Sequence, residues 1–441
     1  MSKKTSNLRM WSLIWGLGLV AQICWNIENS WFNTFVYARI GKYPSIITGM
    51  LICSAAATTF STFFFGTWSD RIGKRKIFIS LGYILWGIFT IIFGLTEFIS
   101  KDMFMIVALS VVLADTVMSF FGSMANDAAY NAWCNDIMTD ENRGQIGASL
   151  ATQPVIGTIL GTVVGGLLIG SDDNYMRLFL VIGFAVILFG IFSFFAIGED
   201  GSIAPSKRGS FFEQFISVFD FKGFFQQKEL VCVHVALAIF FIGFNTYFAY
   251  IGNYLIYYIG FSADKMGIIE AIPLVLAMLC AIPVSKLLNN NKHIPVSLCA
   301  VVTNVIGLFI LYPIQPEMID TAVIIAPSNL RLFLGIFVLG MGYIAFLQTM
   351  KVWAKQLYPK DSRGQYEGIW ILFFVLIPMI GGSLIGQWVV QSSGETYING
   401  ESGKTEYIPN GNIFLVGACI VILSLIPIFI TKNNFRKRIE H

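Results

Sequence analysis

Charged residues are scarce in this sequence. Asp, Glu, Lys and Arg make up 12% of its 441 residues, whereas a soluble domain carries about 25%. Hydrophobic residues reach 56%, so most of the protein surface must face something other than water, which excludes an ordinary soluble protein. The net charge is only +3, with the basic residues gathered in a few loops, and this distribution argues against binding of nucleic acid.

Histidine is nearly absent, and the cysteines show no pairing pattern. Three histidines argue against a histidine-based metal or catalytic centre. The seven cysteines lie in or at the edge of apolar segments, without the spacing of a metal site or a disulfide framework, and we expect them to be buried thiols. Nucleophilic and titratable residues do not cluster at one predicted membrane face, so we expect neither an enzyme nor a cofactor.

Long apolar runs recur along the whole chain. A helix needs about 20 apolar residues to cross the hydrocarbon core of a bilayer, and this length predicts an all-α integral membrane protein with twelve transmembrane helices. The predicted spans, numbered helices 1 to 12, are 11–37, 46–66, 77–98, 104–134, 145–170, 176–198, 229–258, 265–288, 294–314, 330–357, 366–392 and 412–431.

The positions of the basic residues predict how the helices are oriented. Most of the 29 Lys and Arg residues fall in the two termini and in the even-numbered connections, and basic residues stay on the cytoplasmic side of a membrane. We therefore expect a multi-pass protein of the plasma membrane with both termini in the cytoplasm. The longest cytoplasmic connection, 199–228, separates two predicted six-helix halves, 1–198 and 229–441.

An internal repeat supports this division. Trp133 precedes the triplet Arg-Gly-Gln at 143–145, and Trp353 precedes the same triplet at 363–365 by the same spacing. Each pair lies at the junction of the fourth and fifth helix of its half. Agreement in both position and spacing favours duplication, so we predict two pseudo-symmetric halves.

The connection between predicted helices 2 and 3 carries a recognisable pattern. It reads Gly-Thr-Trp-Ser-Asp-Arg-Ile-Gly-Lys-Arg-Lys from Gly66 to Lys76, which we interpret as a tight, charged turn. It resembles the signature loop of the major facilitator superfamily of transporters. The resemblance implies two six-helix halves, a solute site between them near mid-membrane, and transport by alternating access.

The same loop supplies candidate gating residues. We expect Asp70 to accept hydrogen bonds from a helix N-terminus or from Arg143 and so to lock one conformational state. The alternative is that the loop is purely a topological anchor. The residues expected to govern conformational change in this way are Gly66, Asp70, Arg71, Gly73 and Arg143. In the second half, Arg363 is expected to play a weaker version of the same role.

Two further stretches narrow the resemblance. Together with the loop, residues 22–36 of helix 1 and residues 126–144, from the end of helix 4 into the connection after it, look like the glycoside–pentoside–hexuronide cation symporter group, and in particular its sucrose-transporter-like branch. Melibiose-type sodium symporters carry a pair of aspartates on helix 2, where this chain has Thr58 and Thr62. The resemblance therefore implies symport of a glycoside or oligosaccharide with protons rather than sodium ions, without a metal or other cofactor.

Five polar or aromatic residues share one stripe of predicted helix 1. Polar side chains are costly at the centre of a bilayer, so this stripe should face a cavity or a partner. Amides both donate and accept hydrogen bonds, which suits recognition of hydroxyl groups; the alternative is that they pack between helices. The stripe comprises Gln22, Trp25, Asn26, Asn29 and Asn33.

Three acids lie within predicted helices 1 and 4. Glu28, about 120° around the helix from the stripe, is expected either to be a proton site between helices or to reach the outer interface. Asp127 falls where the family has an acid on helix 4, so it is our first choice as proton carrier, with Asp115 second. Burial favours the neutral form of a carboxyl group, which lets such an acid exchange a proton near neutral pH. The alternative for Asp127 is a structural role near the cytoplasmic end.

The other candidates lie on predicted helices 4, 7 and 10. We expect Lys351 or Lys355 to pair with Asp127 or Asp136 when the cytoplasmic side closes; the alternative is that both lysines reach the anionic cytoplasmic interface. Tyrosine rings stack on the apolar faces of sugars, although a tyrosine stripe is more often packing or an interfacial belt. The remaining substrate candidates are Asn126, Tyr130, Tyr250, Tyr254 and Gln348.

These patterns predict a monomeric secondary transporter that binds a small molecule within the lipid bilayer. A glycoside is the leading solute. A lysolipid or drug-like solute on the same fold is the second hypothesis, and an apolar lateral opening would favour it. A transporter-like membrane sensor without flux is the alternative from another class.

Overall fold

The computed structural model describes residues 3–139, 141–198, 209–216, 219, 221–289, 292–358, 363–400 and 403–431. Twelve long helices run through these residues, at the places where the apolar runs predict them. They are α1 (Lys3–Phe35), α2 (Pro44–Ile72), α3 (Lys76–Leu95), α4 (Phe104–Gly122), α5 (Arg143–Ile169), α6 (Tyr175–Ala196), α7 (Lys228–Asn253), α8 (Ala263–Asn289), α9 (His293–Leu311), α10 (Leu330–Leu357), α11 (Arg363–Ile371 and Ile377–Ser393) and α12 (Asn412–Leu423).

The lengths of these helices agree with a membrane protein. Over the described residues, eleven helices are long and apolar enough to cross a membrane. The remaining one, α8, has 27 residues. The predicted all-α membrane fold with twelve helices is confirmed.

Several helices contain π-helical turns. α1 continues as a π-helix over Val36–Ile40, α7 over Tyr254–Ile259, and α4 over Ser123–Tyr130 before it resumes as an α-helix at Asn131–Asp136. α11 contains a π-helical segment at Leu372–Leu376. A π-turn shifts the side chains around the helix axis and is frequent at functional sites, and the segments in α4 and α7 hold predicted site residues.

A short hairpin, which the sequence analysis did not predict, lies between α11 and α12. Strand β1 (Glu395–Ile398) pairs antiparallel with β2 (Thr405–Ile408), and Thr396 lies opposite Tyr407. Two further short helices, Phe211–Ile216 and Phe221–Gln226, lie in the connection between α6 and α7.

The chain divides into two compact units by its internal contacts. The first comprises Met1–Phe35 and Cys53–Ser217, and the second Val36–Ile52 and Val218–His441. The division after Ser217 falls inside the predicted linker. Residues 36–52, which we assigned to the first half, pack instead with the second unit.

The thiols differ from the expectation that all are buried. Cys24 and Cys134 are buried in the protein, whereas Cys53, Cys280, Cys299 and Cys419 are exposed. The expectation was wrong for these four because an apolar helix need not bury every side chain: Cys280 and Cys299, for example, line a cavity between α8, α9 and α10.

Glycines let α5 approach α1 closely in the first unit. Trp31 is fully buried and donates a hydrogen bond from Nε1 to the carbonyl oxygen of Gly161, at 3.2 Å. A methyl group on Gly161 would lie 2.6 Å from Asn26 Oδ1, and one on Gly165 would overlap the indole of Trp31. Small residues permit such close contacts, which hold membrane helices together.

Gly165→Ala should lower the thermal unfolding midpoint of the purified protein, because a Cβ at this position has no room beside Trp31. Overpacking of this kind costs about 1–3 kcal/mol. Gly147→Ala is the matched control, since the space around Gly147 in α5 is open and alanine favours a helix by about 1 kcal/mol over glycine. Equal midpoints for the two variants in detergent, measured by scanning fluorimetry, would contradict the close packing.

Candidate functional site

The first unit contains two buried carboxyl groups and a serine where α1 meets α4. Glu28 of α1 is 8% exposed and Asp115 of α4 is 2% exposed. The hydroxyl of Ser119, one turn after Asp115, lies 2.6 Å from Glu28 Oε1 and 2.9 Å from the carbonyl oxygen of Asp115. Glu28 Oε2 and Asp115 Oδ1 are buried and have no hydrogen-bond partner among the described residues. We call Glu28, Asp115 and Ser119 the acid cluster.

The single hydroxyl proton of Ser119 has two possible acceptors. When Glu28 is ionised, Ser119 donates to its carboxylate. When Glu28 is protonated, the carboxyl group donates to Ser119 Oγ, and Ser119 donates to the backbone carbonyl of Asp115. The serine is satisfied in both cases, so Glu28 can change its charge without leaving this hydroxyl unpartnered.

The acid cluster also decides between the two positions expected for Glu28. Its carboxyl group lies between α1 and α4 and not at an interface with water. Within the described part of the chain, no group of three or more His, Cys, Asp or Glu side chains could hold a metal ion. Two carboxyl groups with one hydroxyl suit a proton, and the role of Glu28 and Asp115 in proton coupling stays a prediction.

Asp127, our first choice as proton carrier, has a separate network in the π-helical segment of α4. Its Oδ2 accepts a hydrogen bond from Ser123 at 2.8 Å, and its Oδ1 accepts one from Asn126 at 3.1 Å. Both carboxylate oxygens are therefore occupied. In the acid cluster, by contrast, one oxygen of each acid is left for a proton.

The three asparagines of the predicted α1 stripe form hydrogen bonds within the protein. Asn26 Oδ1 accepts a hydrogen bond from Thr162 of α5, at 3.2 Å. The amides of Asn29 and Asn33 each donate to a carbonyl oxygen one turn earlier in α1, at 2.7 and 2.9 Å. The geometry favours the packing role for Asn26, because the small residues of α5 bring its side chain within reach of Thr162.

Gln22 and Trp25, the other members of the stripe, also lie against neighbouring helices. A methyl group on Gly157 of α5 would overlap Cβ of Gln22. The indole ring of Trp25 lies 4.8 Å from that of Trp86 in α3, centre to centre. Both side chains are only half-buried, so each keeps surface that a solute can contact.

Tyr130 holds α4 against α1. It is 1% exposed, and its hydroxyl donates to the carbonyl oxygen of Ile14 at 2.6 Å. Gln153 of α5 donates to the same carbonyl at 2.9 Å. These contacts favour packing for Tyr130, and its role in binding a solute stays a prediction. Asn126, 3% exposed, keeps its Oδ1 without a hydrogen-bond partner among the described residues.

The tyrosines predicted to bind solute in the second unit are also packed. Tyr250 is fully buried, and its hydroxyl donates to the carbonyl oxygen of Pro44 at 3.3 Å. Tyr254 is equally buried and donates to the carbonyl oxygen of Ile314 at 3.4 Å. The geometry favours packing for both rings. Gln348 of α10 has a buried Oε1 with no hydrogen-bond partner in the described residues, so it remains a candidate for binding.

Glu270 is a buried acid within a predicted span that is not among the residues expected to form the site. Glu270 of α8 is 6% exposed, and its Oε1 has no hydrogen-bond partner within the described ranges. An ionisable residue inside a membrane span marks a functional site by default. Its place in the apolar run Ile-Ile-Glu-Ala-Ile at 268–272 was therefore a sufficient signal.

The stretch from Gly66 to Lys76 is mostly helical, which corrects the predicted tight turn. α2 continues to Ile72, and α3 begins at Lys76. The reversal occurs at Gly73, whose φ of +65° lies in the left-handed region that favours glycine. Gly66 lies within α2, with open space where a Cβ would be.

Arg75 is the centre of the charged contacts in this loop. It is 6% exposed, and its guanidinium lies 2.6 Å from Asp70 and 2.9 Å from Asp136 at the end of α4. It also donates to Ser69 Oγ at 2.6 Å. We expected Asp70 to accept hydrogen bonds from a helix N-terminus or from an arginine such as Arg143, and Arg143 is exposed. Arg75 takes that place because the turn at Gly73 folds it back over the end of α2.

Arg71 connects α2 to the linker between α6 and α7. Its Nη1 donates to the carbonyl oxygen of Gly209 and to Gln214 Oε1, both at 3.0 Å. This contact ties the signature loop to the start of the short linker helix. A gating role for Arg71 stays a prediction.

The gating candidates of the second unit lie on α10 and at the start of α11. Lys351 and Lys355 are exposed on α10, and the side chain of Arg363 lies outside the described residues. Asp136 is already bound by Arg75 within its own unit. Pairing of the two lysines with Asp127 or Asp136 stays a prediction.

Twelve spanning helices with buried acids and amides in their interiors define the architecture of a membrane transporter. The model of the Major Facilitator Superfamily matches residues 14–326 and, in a second match, residues 235–439. The chain belongs to the major facilitator superfamily. This membership identifies a membrane transporter rather than an enzyme.

Individual proteins of known description are similar to this chain. The "Putative proline/betaine transporter" of Staphylococcus haemolyticus (strain JCSC1435) is 21% identical over 345 residues, which cover 76% of this chain and 69% of that protein. An inward-facing, unoccupied structure of a bacterial homologue of the human lysosomal transporter Spinster has a TM-score of 0.68, with 13% identity and 99% of both chains covered. The nucleoside transporter NupG has a TM-score of 0.63 and 13% identity, covering 96% of this chain and 99% of that one. These structures support the fold.

Arg75→Gln should destabilise the first unit, because it leaves Asp70 and Asp136 without their cation. A hydrogen bond to a charged group contributes about 1.5–3 kcal/mol, and water reaches the half-exposed Asp70, so we expect a loss near the lower end of this range. Lys74→Gln, at the exposed neighbouring position, is the control and should leave the unfolding midpoint unchanged. The assignment of Arg75 fails if both variants unfold at the wild-type temperature and the loop resists proteolysis equally in all three proteins.

Proposed function

We propose that the protein is a secondary active transporter that carries a polar small molecule together with protons by alternating access. The acid cluster is the observation that carries this proposal. Glu28 and Asp115 lie on different helices, are more than nine-tenths buried, and share Ser119 as a hydrogen-bond partner. A transporter keeps buried acids of this kind where protons are bound and released.

Protonation and movement are linked through the cost of a buried charge. An ionised carboxyl group is costly in a low-dielectric interior, and a proton removes that cost. Proton uptake therefore favours the state in which Glu28 is most deeply enclosed. When the proton leaves, Ser119 turns its hydroxyl toward the ionised Glu28. Coupling arises if solute and proton favour the same state, and α1 carries both Glu28 and the amides of Asn29 and Asn33.

We propose a glycoside or oligosaccharide as the solute. Amide side chains on α1 and α4 supply donors and acceptors for hydroxyl groups. The half-buried indole of Trp25 supplies an apolar surface for a sugar ring. The amides in question are Gln22, Asn29, Asn33 and Asn126.

A small zwitterion is the second candidate, favoured by the similarity to a protein described as a proline/betaine transporter. The amides and the indole ring proposed to bind a sugar can also bind a zwitterion. Amides bind a carboxylate, and an indole ring such as that of Trp25 attracts a quaternary ammonium group. The two candidates differ in the solute and share the proton site.

We further propose that the transporter lies in the plasma membrane with both termini in the cytoplasm and works as a monomer. The concentration of basic residues in the even-numbered connections supports this orientation. The proton is the coupling ion, and no other cofactor is proposed.

A transported solute should alkalinise the medium of energy-depleted cells that express the protein, because each solute brings a proton into the cell. Disaccharides, pentosides, glucosides, proline and glycine betaine are added one at a time to a lightly buffered suspension. Asp115→Asn and Glu28→Gln should abolish the signal. Asp102→Asn, which changes an exposed acid outside the spans, should retain it.

The outcomes separate the parts of the proposal. An undiminished signal in both acid-cluster variants would remove that cluster from coupling and direct attention to Asp127→Asn. A response to proline or betaine alone would replace the sugar by the zwitterion. Silence with every compound, together with binding of a lysolipid or hydrophobic drug to the purified protein, would overturn the polar solute.

A further inference from the structure

The hairpin between α11 and α12 binds the connection between α1 and α2. The backbone N–H of Tyr407 in β2 donates to the carbonyl oxygen of Lys42 at 3.0 Å. Lys42 Nζ donates to the hydroxyl of Tyr397 in β1 at 2.8 Å. The same ammonium group lies 4.6 Å from the centre of the Tyr397 ring and 5.0 Å from that of Tyr257, within the range of cation–π attraction.

A buried carboxylate continues this chain of hydrogen bonds. Glu406 of β2 is 3% exposed and accepts hydrogen bonds from the hydroxyl of Tyr397 and from Asn399 Nδ2, the latter at 2.9 Å. We call Lys42, Tyr397, Asn399 and Glu406 the outer latch. All four belong to the second unit, and the distribution of basic residues predicts that this connection lies on the outer side of the membrane.

The protonation states suit this arrangement. Burial lowers the pKa of Lys42, and the charge of Glu406 acts in the opposite direction. Burial and the hydrogen bond with Glu406 raise the pKa of Tyr397, so the phenol keeps the proton that it donates. In the latch, Lys42 therefore donates a hydrogen bond to Tyr397, and Tyr397 donates one to Glu406.

The segment that the latch holds is where the chain passes from one unit to the other. The first unit ends at Phe35 in α1 and resumes at Cys53 in α2, so residues 36–52 are continued on both sides by first-unit residues. α1 changes from α-helix to π-helix at this point. Gly41 follows with a φ of +145°, a conformation that L side chains rarely adopt. The chain therefore joins this segment to the first unit at both ends, while the latch fixes it within the second unit.

We propose that the outer latch is a gate of the transport cycle, which must open before the solute site can be reached from the outer side. Lys42 and Tyr397 are its positioning residues. Alternating access needs contacts that hold in one state and break in the other. Charge-assisted hydrogen bonds at a membrane face meet this need, because water can replace them when they break. The gating residues expected from the sequence all lie on the predicted cytoplasmic side, so the latch adds a second gate.

The test follows the distance between the two latched segments, and it does not depend on the solute. Spin labels are placed at Ser45 in α2 and Ile398 in β1, both exposed, after replacement of the seven native cysteines. Double electron–electron resonance in nanodiscs should show a short distance for the latched state and a longer one for the open state. Lys42→Ala should raise the ratio of long to short distances about tenfold, because it removes a charge-assisted hydrogen bond and two cation–π contacts.

Two further variants make the result specific. Tyr397→Phe removes only the hydroxyl group and should shift the ratio in the same direction by less. Lys265→Ala is the control, since Lys265 lies in the same unit and donates to the carbonyl oxygens of Thr321 and Ala322, at 2.7 and 3.1 Å; it should match the wild type. An unchanged short distance in both latch variants, or an equal shift in Lys265→Ala, would overturn the proposal.

Discussion

A bilayer offers no hydrogen-bonding partners, and the rest of this structure depends on that constraint. Polar side chains inside the helices must find partners in the protein. Asn26 binds Thr162 on α5, and Tyr130 binds a backbone carbonyl of α1. Glu28 and Asp115 each keep a buried oxygen without a hydrogen-bond partner among the described residues, as Glu270 does on α8. An ionised carboxyl group is costly in such a place, and the proton that we propose for the acid cluster removes that cost.

Strong charged networks occur where helices connect. Arg75 binds Asp70 and Asp136 after α2, and Lys42 binds the hairpin before α2. In each network the cation has one partner that water also reaches: the side chain of Asp70 is 46% exposed, and Tyr397 is 39% exposed. Charged contacts therefore lie at both ends of α2, while the helix interiors hold the acids.

The fold and part of the site could be predicted from residues that signal locally. Apolar length located the twelve helices, and the presence of Glu28, Asp115 and Asp127 inside spans marked them as candidates. Glu270 carried the same signal and was overlooked. The contact of Ser119 with Glu28 could not be predicted, because the two residues are 91 positions apart and the rotation of α1 against α4 decides whether they meet. Arg75 was not predicted as the partner of Asp70, because their contact depends on how the turn at Gly73 folds Arg75 back over the end of α2.

The sequence by itself determined that this is a twelve-helix membrane protein of the major facilitator type, since hydropathy, basic residues and the loop pattern are local properties of the chain. Only the tertiary structure decided which polar groups are bound within the protein and which keep atoms free to bind a solute or a proton. Close approach of α5 to α1 gives Asn26 a hydrogen-bond partner in Thr162, and the hairpin that carries Glu406 gives Lys42 one in Tyr397. The periodicity of a helix predicts which face a residue lies on, but only packing decides which groups that face contacts. Inside a membrane, those contacts decide whether an amide is bound by the protein or is free to bind a solute.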